Sequence, residues 1–137
     1  MKEEICNLIF KKDFNKAKEL LETTNFELNF INQLERSPLL LAVGAGNLEF
    51  VEYLLSKGAD PNYNEVYILP IANAIENVAF KLDYSETKIL DKRIIELLYK
   101  RGAKVDIKDK SGETPLEVLT RYFGYNNIDD FLRKNEI

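Results

Sequence analysis

The 137-residue chain contains one cysteine and no histidine. Histidine is the side chain best suited to proton transfer near neutrality, and the commonest metal ligand. Ser-His-Asp and Cys-His nucleophile arrangements are therefore impossible, and Cys6 alone offers no zinc cluster. Cys6 falls on the apolar side of a short helical stretch with Ile5, Leu8 and Ile9. A small buried thiol is expected there rather than a nucleophile. Gly44-Ala45-Gly46 shares two glycines with a dinucleotide fingerprint, but it follows a helical pattern instead of a strand and lacks the third glycine. Glu3-Glu4 and Asp129-Asp130 have the residue types of an acid–base pair, yet nothing in the pattern implies a cleft between carboxylates. They read as solvated faces. The expectation is a protein that is not an enzyme and needs no cofactor and no metal.

The elements that organise the chain are clearest over residues 37–62. Ser37 suits an N-cap, and Pro38 suits the first helical position, where its missing N–H costs nothing. A short apolar helix then stops at the Gly44-Ala45-Gly46 turn. Asn47 can cap a second helix whose Leu48, Val51, Leu54 and Leu55 recur at helical spacing. Gly58 supplies a helix-ending positive φ, and Asp60-Pro61-Asn62 makes a turn.

Bulk properties narrow the class. Net charge is −4 with 31% charged and 45% hydrophobic residues, an ordinary composition for a folded domain. The acidic balance disfavours nucleic acid and suits a neutral or basic protein partner. Met1-Lys2-Glu3-Glu4 lacks the apolar core of a signal peptide, and no uncharged apolar run reaches membrane length. A single cysteine permits no internal disulfide, so a reducing, cytoplasmic setting without a membrane is expected.

Ser37-Pro38-Leu39-Leu40-Leu41-Ala42, the Gly46-Asn47 turn, Leu54-Leu55 and Gly58-Ala59-Asp60 together resemble an ankyrin repeat. That family repeats helix–turn–helix plus a β-turn finger about every 33 residues, with a T-P-L-H-x-A signature. Here Ser replaces Thr and Leu replaces His. The resemblance extends along the chain. Residues 1–29 form an N-terminal capping unit, with Lys11-Lys12-Asp13 as its turn and Phe14, Ala17, Leu20 and Leu21 on its second helix. Asn25 lies 33 residues before Gly58, where a left-handed cap is expected. Residues 30–62 are the second unit, opened by the finger at 30–36.

Residues 63–106 form the third unit, whose Leu69-Pro70-Ile71-Ala72 restarts the signature. Ile95, Leu98 and Gly102-Ala103 close it, 44 residues after Gly58-Ala59. The excess lies between its helices, across 78–93. Ile71, Ile75, Val78 and Leu82 continue the first helix, Ile89 and Leu90 extend the second backward, and Asp83-Tyr84-Ser85-Glu86 is the expected turn. This insertion is equally readable as a contact surface or as extra length accommodated at an exposed turn. Residues 107–137 are the C-terminal capping unit, with Thr114-Pro115-Leu116, a helix ending near Phe123-Gly124, and a last helix from Asn126 or Asn127 through Phe131 and Leu132. The expected fold is all-α: one solenoid domain of stacked helix–turn–helix units.

The resemblance implies a protein-binding module that uses finger tips and inner helices as one concave surface. Carried over residue by residue, the contact positions are Gln33, Leu34 and Arg36, then Gly44 and Ala45. Glu65, Val66, Tyr67 and Ile68 follow, with Glu76 and Asn77. The last group is Lys110, Ser111 and Glu113 with Arg121 and Tyr122. Leu34 and Tyr67 are the strongest candidates, since apolar side chains at finger tips ringed by charge are what an interface hot spot requires. Val66 and Ile68 are equally readable as packing one finger onto the next. A monomer binding one dedicated partner is expected, and the short acidic chain resembles immunity proteins that inhibit a cognate, basic toxin domain. Two alternatives stand beside it: a pathogen effector engaging a host protein, and a ligand-binding protein or enzyme with a pocket at the insertion near Phe80 and Tyr84.

Overall fold

A computed structural model describes residues 1–82 and 90–134. Its eight helices among the described residues form four antiparallel pairs: α1 (Lys2–Phe10) with α2 (Phe14–Thr23), α3 (Pro38–Ala45) with α4 (Leu48–Ser56), α5 (Pro70–Leu82) with α6 (Arg93–Lys100), and α7 (Pro115–Phe123) with α8 (Ile128–Arg133). Helices α1, α3, α5 and α7 pack in sequence as one layer, and the second helix of each pair lies behind it. No strand is present among the described residues.

Local chemistry sets most helix ends. The Ser37 hydroxyl accepts from Leu40 N at 3.1 Å, and Pro38 begins α3. Gly46 ends that helix at φ 74°, and Asn47 Oδ1 then accepts from Phe50 N at 2.9 Å to open α4. Thr114 and Glu117 form a reciprocal capping box at α7, and Asn127 caps α8 through Asp130 N. Asp13 does the same for α2 through Lys16 N.

The α1–α2 turn falls at Lys11-Lys12-Asp13 as expected, with Lys12 in the left-handed region at φ 65°. One end departs from the sequence expectation. Asn25 does not take a left-handed cap. Helix α2 stops two residues earlier because the Thr23 and Thr24 hydroxyls both donate to Leu20 O, at 3.2 and 2.6 Å, and Thr24 is extended. Short hydroxyl side chains competing for helix carbonyls end the helix before Asn25 can.

Helix α5 runs 13 residues against eight in α3, so the expected forward extension is present. The backward one is not: Leu90 lies outside α6, which begins at Arg93. Asp91 holds Arg93 there by a bidentate pair at 3.0 and 2.9 Å and accepts from its backbone N–H, satisfying a first-turn donor that an extended helix would bond internally. The expected turn at Asp83-Tyr84-Ser85-Glu86 and the residue Ile89 lie outside the described residues.

The core runs continuously between the layers. Ile5, Ile9, Leu40, Val43, Leu54, Ile71, Ile75, Ile95, Leu98 and Leu119 are fully buried. Each such side chain contributes about 1.5–3 kcal/mol relative to exposure. Cys6 is buried among them, and burial pushes its thiol up to about 12. Helix α8 seats Phe131 against Phe123 and Tyr125, at ring-centroid distances of 4.9 and 5.5 Å. The buried Lys92 ammonium lies 4.2 Å above the Phe131 ring and donates to the carbonyls of Phe131 and Lys134, which orders the end of α8.

The fingers stack through backbone and carboxamide bonds. Tyr67 N donates to Glu35 O at 3.1 Å, and Lys110 N donates to Val66 O at 3.0 Å. Below them, Asn29 and Asn62 play the same part 33 residues apart. Asn29 donates to Gly58 O at 3.4 Å and accepts from Asp60 N at 2.8 Å, while Asn62 donates to Gly102 O at 2.9 Å and accepts from Lys104 N at 2.8 Å. Each carboxamide thus satisfies one donor and one acceptor of the next unit's loop.

Candidate functional site: the concave face

The side chains on offer are set by the finger turns. In the first finger, Asn32 Oδ1 accepts from Leu34 N and Arg36 N, at 2.9 and 3.0 Å, and Glu35 takes φ 59°. In the third, Asp109 Oδ1 accepts from Ser111 N and Glu113 N, at 2.8 and 3.0 Å, with Gly112 at φ 90°. An Asx side chain closing its own loop in this way fixes a tip that projects its middle residues outward. Gln33 and Leu34 are exposed on the first tip, and Lys110 and Ser111 on the third. Lys110 pairs with Glu35 at 3.4 Å across to the first finger.

The second finger divides between the two faces. Tyr67 is 40% exposed and Glu65 is exposed, but Val66 and Ile68 are buried. Alternation along an extended segment puts Val66 and Ile68 on one side and Tyr67 on the other. These two are therefore core residues, which removes them from the open contact surface expected of them. Arg36 lies over the Tyr67 ring at 5.2 Å, a cation–π contact joining the first two fingers.

Beside this pair runs a groove of about 310 Å³ between the finger bases and the inner helices. Its walls are Phe10, Lys12, Arg36, Tyr67, Asn73 and Asn77, and Gly44 and Ala45 form its low point on α3. The Asn77 Nδ2 donates to Val43 O at 3.1 Å, which orients its carboxamide. Arg36, Gly44, Ala45, Tyr67 and Asn77 are thus brought together as expected. Phe10, Lys12 and Asn73 join them without having been singled out in the sequence. Phe10 carried a signal all the same: it is an aromatic residue off the apolar stripe of α1, 34 residues before Gly44.

The remaining expected residues form a second cluster at the α5–α7 end. Tyr122 meets Phe80 edge-to-face at 5.7 Å, and Arg121 lies 5.8 Å from the Tyr122 ring while pairing with Glu113. Burial raises the pKa of Glu76, opposed by the nearby Arg121 charge and a Tyr122 hydrogen bond. A smaller cavity of about 150 Å³ lies on the other side of α5, lined by Val43, Leu48, Ala74, Val78, Lys81 and Ile94 among others. Phe80 does not line it, and Tyr84 lies outside the described residues.

No group of three or more candidate metal ligands exists among the described residues, and no described helix is long and apolar enough to cross a membrane. Paired helices stacked in two layers, with projecting turns between pairs, define a helical-repeat solenoid. A family model described as ankyrin repeats in three copies matches residues 5–75. The chain belongs to the ankyrin repeat family.

Among curated relatives, an ankyrin repeat protein of Rickettsia felis is 32% identical over 116 residues, covering 82% of this chain and 46% of the relative. A second from the same organism is 37% identical over 86 residues, 63% of this chain and 40% of that protein. The E3 ubiquitin-protein ligase Ufd4 of Drosophila melanogaster is 29% identical over 114 residues, covering 83% of this chain but 4% of the ligase. The chain spans less than half the length of each of these relatives. Its repeats mark a protein–protein interaction module, a typically non-enzymatic architecture.

Proposed function

We propose that the chain binds one dedicated protein partner on its concave face, through the finger tips and the inner helices. The observation that carries this is where large apolar side chains meet solvent. Apart from Met1 at the start of α1, Phe10 (69% exposed), Leu34 (64%), Tyr67 (40%), Phe80 (50%) and Tyr122 (37%) lie on the inner helices α1, α5 and α7 or on finger tips. Among the described residues, the outer helices α2, α4, α6 and α8 expose none. Scattered exposure would need no explanation, but concentration on one face of a repeat array marks a place where desolvation is reserved for a partner.

In its finer form the partner is a toxin that the chain neutralises. The chain's net charge of −4 suits a basic toxin surface, and the positive charge of the groove itself does not. Affinity co-purification from native lysate, run beside a Leu34→Ala/Tyr67→Ala double variant, tests the concave-face assignment. A stoichiometric partner captured by the unaltered chain and lost from the variant supports it. A partner held equally by both places the interface on another face. Growth rescue in co-expression with a captured toxin separates inhibition from simple binding.

A further inference from the structure

We infer that the groove between α1, α3, α5 and the first two fingers takes an extended, acidic segment of the partner: an Asp or Glu beside an apolar side chain. The inference rests on the concave-face assignment above and specifies its ligand. Lys12 and Arg36 are the charged side chains that line the groove, and both are cationic. Neither is paired with a carboxylate among the described residues, and the neighbouring Glu35 is engaged by Lys110. Phe10 and Tyr67 stand beside the two cations, so a carboxylate and an apolar side chain would be accepted side by side.

The shape favours extended chain. Gly44 and Ala45 leave the floor low, and the Asn73 and Asn77 carboxamides line it from one face of α5. Residues four apart on a helix stand about 5–6 Å from each other. Alternate residues of an extended chain repeat at about 6.6 Å, so Asn73 and the Oδ1 of Asn77, whose Nδ2 is held by Val43 O, stand near the spacing of alternate backbone groups of such a segment. The groove's volume lies at the small end of ligand clefts, suited to a few residues rather than a helix.

The local charge therefore selects a partner opposite to the one that the net charge of −4 suggests. At physiological ionic strength the chain's overall field is screened beyond about 8 Å, while contact with Lys12 and Arg36 is not.

The test is selection of a random linear peptide library on the full chain, followed by titration of an enriched synthetic peptide and of its Asp/Glu→Asn/Gln counterpart. The expected result is enrichment of acidic-plus-apolar sequences, at least about tenfold weaker binding by the amide counterpart and by Arg36→Glu, and loss on Gly44→Gln. A Cβ at Gly44 would meet Asn73 Oδ1 at 3.6 Å, ordinary contact, so a side chain there can start toward the groove without a backbone clash. Tyr67→Ala is the second variant should Gly44→Gln lower the unfolding midpoint. Basic or uncharged peptides lost on Gly44→Gln would overturn the acidic specificity and keep the concave face. Peptides indifferent to both groove variants would overturn both, and a library with no enrichment would overturn the acidic segment.

Discussion

The two ends of the concave face expose aromatic side chains to a similar degree but dispose of them differently. At the α1–α3 end, Phe10 and Tyr67 flank an open groove, Leu34 is exposed on the first finger tip, and Arg36 has the Tyr67 ring as its neighbour. At the α5–α7 end, Phe80 and Tyr122 pack on each other, Arg121 is taken by Glu113, and Glu76 is desolvated beneath them. Among the described residues one end leaves its groove cations without a carboxylate partner, while the other pairs its cation and stacks its rings within the molecule. Exposure alone does not distinguish the two. Hydrogen-bond and ring partners do.

The largest effect that would break this contrast is on binding. The Leu34→Ala/Tyr67→Ala variant should weaken the partner by about 2 kcal/mol or more, the scale of hot-spot truncation, while its urea midpoint stays near that of the unaltered chain. Phe80→Ala should shift the balance the other way. It should lower stability by about 0.5–1.5 kcal/mol, the scale of an aromatic pair, and weaken the partner less than the Leu34→Ala/Tyr67→Ala variant does, as read by calorimetry. Equal binding losses at both ends would make the face a single continuous surface.

Gly44→Ala sharpens the comparison from the groove side. Gly44 lies within α3 with room for a Cβ, so urea unfolding should show a gain of about 0.5–1 kcal/mol as helix propensity rises. Affinity should fall slightly as the floor rises.

A smaller effect follows from Glu76. Burial lifts its carboxyl above the ordinary 4.5, so the folded state favours the protonated form. The stabilisation from this group is complete below the unfolded value and is lost as pH rises through the folded one. Glu76→Gln should therefore be more stable than the unaltered chain near neutrality, with the gap closing below pH 4.5 in a series of thermal melts. Smallest of all, Cys6 should resist thiol-modifying reagent in the native state and react fully only after denaturation, because burial raises its thiol to about 12.

The parts of the fold legible in the sequence are those written in local chemistry. Ser37-Pro38, Asn47 and Thr114-Pro115 declare helix starts within three residues of the backbone groups they satisfy. Lys12 and Glu35 could not be read that way, since left-handed residues that are not glycine carry no compositional mark. The orientation of Val66 and Ile68 depended on how the second finger meets its neighbours. That is settled by bonds from Tyr67 and Lys110 across 32 and 44 positions of sequence. The groove was half legible. Arg36, Tyr67 and Asn77 fall at family contact positions, whereas Phe10 and Lys12 reach it from a first unit without the signature, and Asn73 from α5 one turn before Asn77.

The two asparagine bridges bear on how such an array changes over time. Asn29 reaches its carbonyl partner across 29 residues and Asn62 across 40, yet the bonds are the same kind to equivalent loops. The pitch of the stack is thus set by the bridge and not by the contour length of chain between its ends. Segments between helices can lengthen, shorten or drift in composition while the fingers above keep their alignment, so one edge of the molecule is free to diversify while the opposite edge keeps the spacing of its turns.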